Sequence, residues 1–140
     1  MRKLSVVLAG LLMTAIFTPL MAQQKDYNVV FDITSADTNA HKTVIRQVSE
    51  ILNSAPDAKL EVVLYSQSID MVLPNKSVVA KQVAELSSHP NVSFKVCAVT
   101  MKRRGVAPAD LIPGVGTVPD GIYEIITKQR EGWGYIKIAQ

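Results

Sequence analysis

Residues Asp26 to Ile33 read DYNVVFDI, and within them Val29, Val30, Phe31 and Ile33 leave no polar face. A strand half exposed to water alternates apolar and polar side chains. One that is apolar on successive residues is covered on both faces, which is the situation of a strand in a parallel sheet packed between helices. This run therefore restricts the chain to folds in which helices alternate with strands.

The rest of the chain keeps that rhythm. Leu60 to Tyr65 (LEVVLY) and Val92 to Cys97 (VSFKVC) read as further strands, Trp133 to Ile138 (WGYIKI) as the last, and Val115 to Val118 as a short one. Between the first two, Val44, Ile45, Val48, Ile51 and Leu52 form one helical stripe. That helix runs to about Asn53, with Ser35, Asp37 and Thr38 as N-cap candidates. Ser77 to Ser88 predicts a second helix with Val79, Val83 and Leu86 on one face, and Thr100 to Arg104 begins another. Pro119 suits the first position of a final helix, whose apolar side is Ile122, Ile125 and Ile126 and whose stop is Gly132. Ser66 to Pro74 reads as a greasy loop, packed over a site or into a subunit contact. The implied fold class is α/β, a parallel sheet in a three-layer α/β/α arrangement with helices on both faces.

Met1 to Ala22 stands apart. Arg2 and Lys3 precede an apolar run, Leu4 to Phe17, too short for the ~20 residues that cross a bilayer and suited to a signal peptide. Leu20-Met21-Ala22 offers the cleavage site, so the expected division is a signal peptide, residues 1–22, and one domain, residues 23–140. Export, to a periplasm or its equivalent, is the expected localisation, with no membrane attachment once the leader is removed. Losing Arg2 and Lys3 reduces the fifteen basic residues to thirteen against twelve acids, and the net charge from +3 to +1. That balance argues against a nucleic-acid partner.

Cys97 is the only cysteine. It ends a strand and precedes a helix, where free backbone N–H groups favour a thiolate. Two roles are open to it: a nucleophile or sulfur carrier, or a small hydrophobe buried at a strand end. In sheets of this type sites form beyond the carboxyl ends of the strands. That rim carries Thr34 to Asp37, Ser66 to Leu73, and Cys97 with its following turn. Arg103, Arg104 and Thr100 are the candidate anion-binding or supporting residues, the arginines equally suited to a solvated helix end. The loop Thr34 to Asn39 has no glycine and contains Asp37, so it reads as ordinary N-capping and not as a phosphate cradle. That loop also counts against a flavodoxin-like cofactor binder. His41 reads as a surface histidine, and no histidine belongs to a ligand-spaced cluster. No metal site and no cofactor are expected. Trp133-Gly134-Tyr135 reads as core or subunit contact.

Two stretches carry a resemblance. Val96-Cys97-Ala98-Val99-Thr100-Met101-Lys102-Arg103-Arg104-Gly105-Val106 is a strand-end cysteine, an apolar run, a basic pair and Gly-Val. Pro119 and Gly121-Ile122 lead to Glu131-Gly132-Trp133-Gly134-Tyr135-Ile136. Together they resemble the DsrE/DsrF-like (DsrEFH) family of sulfur-handling proteins, from roughly Asp26 to Ile138. The resemblance implies a five-stranded, mainly parallel sheet, assembly as trimers or hexamers, and a cysteine, here Cys97, that accepts sulfur as a persulfide and passes it between donor and acceptor proteins. Two features depart from the family: the leader, since the relay members are cytoplasmic, and the second-strand loop Ser66-Gln67-Ser68-Ile69-Asp70, which lacks its glycines. The alternative is a non-catalytic oligomeric binding or assembly module in which Cys97 is structural. Whether the protein is an enzyme is left open by its residues.

Overall fold

The computed structural model describes residues 26–139; the expected signal peptide lies outside them. Five strands, β1 (Asn28–Ile33), β2 (Lys59–Leu64), β3 (Val92–Cys97), β4 (Gly116–Val118) and β5 (Gly134–Lys137), form one sheet in the order β4-β3-β2-β1-β5. Every neighbouring pair is parallel.

This order explains the layers. From β1 to β4 the chain steps across the sheet in one direction, so right-handed crossovers place the intervening helices on one face. These are α1 (Thr38–Ser54), a 3-10 helix (Ser66–Val72), α2 (Ala80–Ser87) and α3 (Ala98–Arg104), with a single 3-10 turn (Pro108–Asp110) before β4. The last crossover returns from β4 to β5 at the opposite edge, which sends α4 (Gly121–Arg130) alone to the other face.

The two sides are correspondingly unequal. Val29, Phe31, Ile33, Leu60, Val62, Leu64, Phe94 and Val96 join α1, α2 and the 3-10 helix in the main core. Under α4 the apolar cluster is small: Val30, Val63 and Ile125, with Tyr65 and Trp133 at its margin. The same face also carries Asn28, Asp32, Lys59, Glu61, Ser93, Lys95, Cys97, Val118, Tyr135 and Lys137, by the alternation along each strand and the register between strands.

Several elements differ from the sequence reading. Ser66–Val72 is not a loop but a 3-10 helix, and it buries Ile69, Met71 and Val72 completely in the chain's own core. No apolar side chain of that helix remains for a subunit contact. α2 begins at Ala80, after turns at Pro74–Lys76 and Val78–Val79, and α3 begins directly at Ala98 with Cys97 as its N-cap. Pro119 precedes α4, and Asp120 caps it, its Oδ1 accepting from the N–H groups of Ile122 (2.8 Å) and Tyr123 (3.0 Å). Of the isoleucines expected to face the core, only Ile125 does; Ile122 and Ile126 are exposed. His41 is buried and not on the surface: it lies in the first turn of α1, its Nε2 2.9 Å from the carbonyl of Ser35. Trp133 lies just before β5, half-buried, with the Lys128 ammonium 4.7 Å above its ring.

Candidate functional site

The three loops expected at the carboxyl rim do converge. The N–H groups of Gln67 and Ser68 both donate to the Thr34 carbonyl at 3.1 Å, joining the second-strand loop to the first. Ser68 Oγ donates to the Ile33 carbonyl at 2.7 Å, and the Ser66 N–H donates to Thr100 Oγ1 at 3.1 Å, joining that loop to α3. Ser66 has φ of 60°, a left-handed conformation that costs a residue with a Cβ about 1–2 kcal/mol. Glycine would adopt it without that cost, so the glycine-poor loop holds its N–H on Thr100 under strain.

Cys97 stands on the α4 face of the sheet at this rim and is 6 % exposed. Burial pushes its thiol pKa up. Against this stand the N–H groups of Gly121, Thr100 and Val99 and the hydroxyl of Thr100, and their combined effect prevails, so the pKa lies below the ordinary thiol value. No side-chain cap hydrogen bond is formed at the start of α3. The donors act as dipoles aimed at the sulfur, and they favour the anion. Two helix starts contribute them, α3 from Cys97's own chain continuation and α4 from the face of the sheet on which the sulfur lies.

Gly121 makes the second approach possible. A Cβ there would sit 3.2 Å from Cys97 Cβ, 3.3 Å from Val63 Cγ1 and 3.5 Å from Tyr65 Cδ1. Asp120 occupies the next two N–H groups of α4 and leaves that of Gly121 to the sulfur. Thr100 is used twice: its oxygen accepts from Ser66, so its proton is available to Cys97. Sequence reasoning found Cys97 and Thr100 and missed Gly121. The signal was present, a glycine directly after an N-cap aspartate, but only the return of α4 across the sheet brings it to the cysteine.

The arginines are arranged differently from the expectation that they reach the sulfur. Arg103 and Arg104 lie in the last turn of α3, complementing its carbonyl end before Gly105 closes it at φ of 64°. Arg104 pairs with Asp70 at 2.9 Å. Neither is among the groups that chiefly set the pKa of Cys97. With Tyr65, Ser66, Gln67 and Thr100 they line a cavity of about 260 Å³. Cys97 is not on its wall, but Thr100 belongs to both the cavity and the sulfur's donor set.

A second polar group flanks the cysteine. Asp32, buried, accepts from Tyr135 Oη at 2.7 Å and from Lys137 Nζ at 2.9 Å. Burial, then the charge of Asp32, push Tyr65 up to about 12, and Tyr65 is a neutral phenol beside the thiol. Among the described residues, no group of three or more His, Cys, Asp and Glu is placed to hold a metal ion, and no helix is long and apolar enough to cross a membrane.

Residues 28–138 match the sequence model of the DsrE/DsrF-like family. The chain belongs to that family. A DsrE-like solved structure, a protein of unknown function, MTH1491, from Methanobacterium thermoautotrophicum, is 32 % identical, with a TM-score of 0.75 over 80 % of this chain and 99 % of that one. The ychN protein from E. coli, 14 % identical, has a TM-score of 0.65 over 80 % of this chain and 98 % of its own. BT1422 from Bacteroides thetaiotaomicron, described as a conserved protein of unknown function, is 16 % identical, with a TM-score of 0.65 over 80 % and 95 %. The last two show the DsrE-like fold alone. No curated protein matches the chain.

Proposed function

We propose that this DsrE-like protein is an exported sulfur carrier whose acceptor is Cys97. The observation that supports this most directly is the donor set around the sulfur, which lowers the thiol pKa although the residue is buried. A merely structural cysteine in an apolar wall has its pKa raised. In the proposed cycle the Cys97 thiolate attacks the terminal sulfur of a persulfide or polysulfide donor. The new S–S bond forms as the donor's S–S bond breaks, and the donor thiolate leaves with the electron pair. An acceptor thiolate then attacks the outer sulfur, takes it, and restores the Cys97 thiolate. Both halves are exchanges between sulfurs and need no external oxidant. The cavity with Arg103, Arg104, Gln67 and Thr100 receives the anionic end of donor or acceptor.

The test is mass spectrometry of the intact protein after incubation with polysulfide, or with thiosulfate plus a sulfurtransferase. A one-sulfur adduct on the wild type, absent in Cys97→Ser, is expected; no adduct on the wild type overturns the carrier reading.

A second reading rests on a different observation. Ile122, Tyr123 and Ile126 on α4 are 57 %, 64 % and 40 % exposed, an apolar strip on a helix whose other side is already packed. Such a strip fits a homo-oligomer, a trimer or hexamer, built through α4. On this reading the assembly is the function and Cys97 is packing. Native alkylation decides between them: a structural thiol stays unlabelled without denaturant.

A further inference from the structure

Glu61 is the acid of β2 that points under α4. It is 5 % exposed. Its Oε2 accepts from Ser93 Oγ at 3.1 Å, while Oε1 is buried without a hydrogen-bond partner. On β1 the residue opposite is Val30; Asn28 lies two positions before it and Asp32 two after, the latter already bound by Tyr135 and Lys137. On β3, Lys95 lies two positions beyond Ser93. From α4 come Glu124 and Lys128. Lys128 is itself shared, 3.7 Å from Glu124 Oε1, 3.5 Å from Glu131 Oε2 and over the Trp133 ring.

A buried carboxylate facing a second carboxylate, with one divided cation nearby, is an expensive arrangement. A proton held between them gives Oε1 a partner and leaves one negative charge for Lys128. Burial first, then the Glu124 hydrogen bond, raise Glu61 to about 7, with Lys128 opposing. Glu124 is one helical turn from Gly121, on the same side of α4, and Gly121 supplies an N–H to the Cys97 sulfur.

We propose that Glu61 and Glu124 share one proton that holds the first turn of α4 against the sheet, and that they thereby act as positioning residues for the Cys97 thiolate. When the proton leaves, the two carboxylates repel, the start of α4 withdraws and the Gly121 N–H no longer faces the sulfur. Cys97 enters only as a titrating thiol, so the inference can fail while sulfur transfer holds, and the reverse.

The experiment is the rate of alkylation of the full chain by iodoacetamide, a neutral reagent that needs no sulfur donor, from about pH 5 to about pH 9. Glu61→Gln keeps the shape and the hydrogen-bond donor of the protonated acid and cannot ionise. Wild type and Glu61→Gln should coincide at the acid end. Above pH about 7 the wild type should fall behind, by on the order of tenfold or more, the worth of one charge-assisted hydrogen bond. Glu124→Gln removes the second carboxylate, so nothing repels when Glu61 ionises, and the fall above pH about 7 should disappear. A purely structural role would lower thermal stability alike at every pH and leave that fall in place. Superimposable single-titration profiles for the wild type and Glu61→Gln overturn the proposal. If that variant does not fold, an undiminished fall in Glu124→Gln does so, as does a Glu61 carboxyl whose 13C resonance titrates in the ordinary carboxylate range.

Discussion

At the scale of single residues, the chemistry at Cys97 depends on a few donors supplied by neighbours without charge. Thr100→Val keeps the shape, removes the proton offered to the sulfur and leaves the Ser66 N–H without its acceptor. The expected outcome is a loss of about 1–3 kcal/mol of stability, the cost of an orphaned polar group, together with a higher thiol pKa. Urea denaturation and a pH–alkylation profile measure the two. Gly121→Ala tests the other donor. Its Cβ meets Cys97 Cβ and Val63 Cγ1 at 3.2 and 3.3 Å, tighter than ordinary contact, so these side chains or α4 give by a few tenths of an ångström. Overpacking of this kind costs about 1–3 kcal/mol, and native alkylation at neutral pH should slow by severalfold.

At the scale of elements, α4 and β5 depend more on polar contacts than the other elements do, since the apolar cluster beneath α4 is small. α4 rests on Ile125, Gly121 and the Glu61–Glu124 pair. Glu61 is an acid whose folded pKa is raised, so the stability it contributes is fully present below the unfolded value, about 4.5, and is lost as pH rises through about 7. Denaturation midpoints for the wild type should therefore fall across that window, and those of Glu61→Gln should fall less. β5 is an edge strand of four residues, mostly exposed, clipped to β1 through Asp32. Asp32→Asn removes the charge that Lys137 and Tyr135 share. Hydrogen exchange should then speed up in β5 while β2 and β3 stay protected, since fraying of an edge strand leaves the core sheet intact.

At the scale of the whole molecule, one reversal of direction in the sheet sets the rest. Four strands in sequence fill one face with helices, and the single return crossover leaves α4 to cover the second, with an exposed apolar strip. If that strip is the oligomer contact, Tyr123→Glu places a charge in it without touching the core. The expected outcome is a smaller species by sedimentation and unchanged helix content by circular dichroism.

The layered α/β class, the strand ends and Cys97 at the rim were legible because they depend on local periodicity: the doubly apolar run at Val29–Phe31, the stripe from Val44 to Leu52 and the alternation leading into Cys97. The DsrE-like membership was legible in the segment around Cys97 and in the Glu131–Ile136 close. The places where the sequence reading failed share a cause. The burial of His41, the packing of Ile69, Met71 and Val72, and the exposure of Ile122 and Ile126 are each decided by what lies opposite the side chain. Periodicity names the face of an element and says nothing of its neighbour. The same holds for the candidate site. The amino-acid sequence alone determined that a lone thiol ends a buried strand and starts a helix. Only the tertiary structure decided that α4 lies on the sulfur's face of the sheet and brings Gly121 to it, because a crossover of the chain sets which N–H groups the sulfur faces.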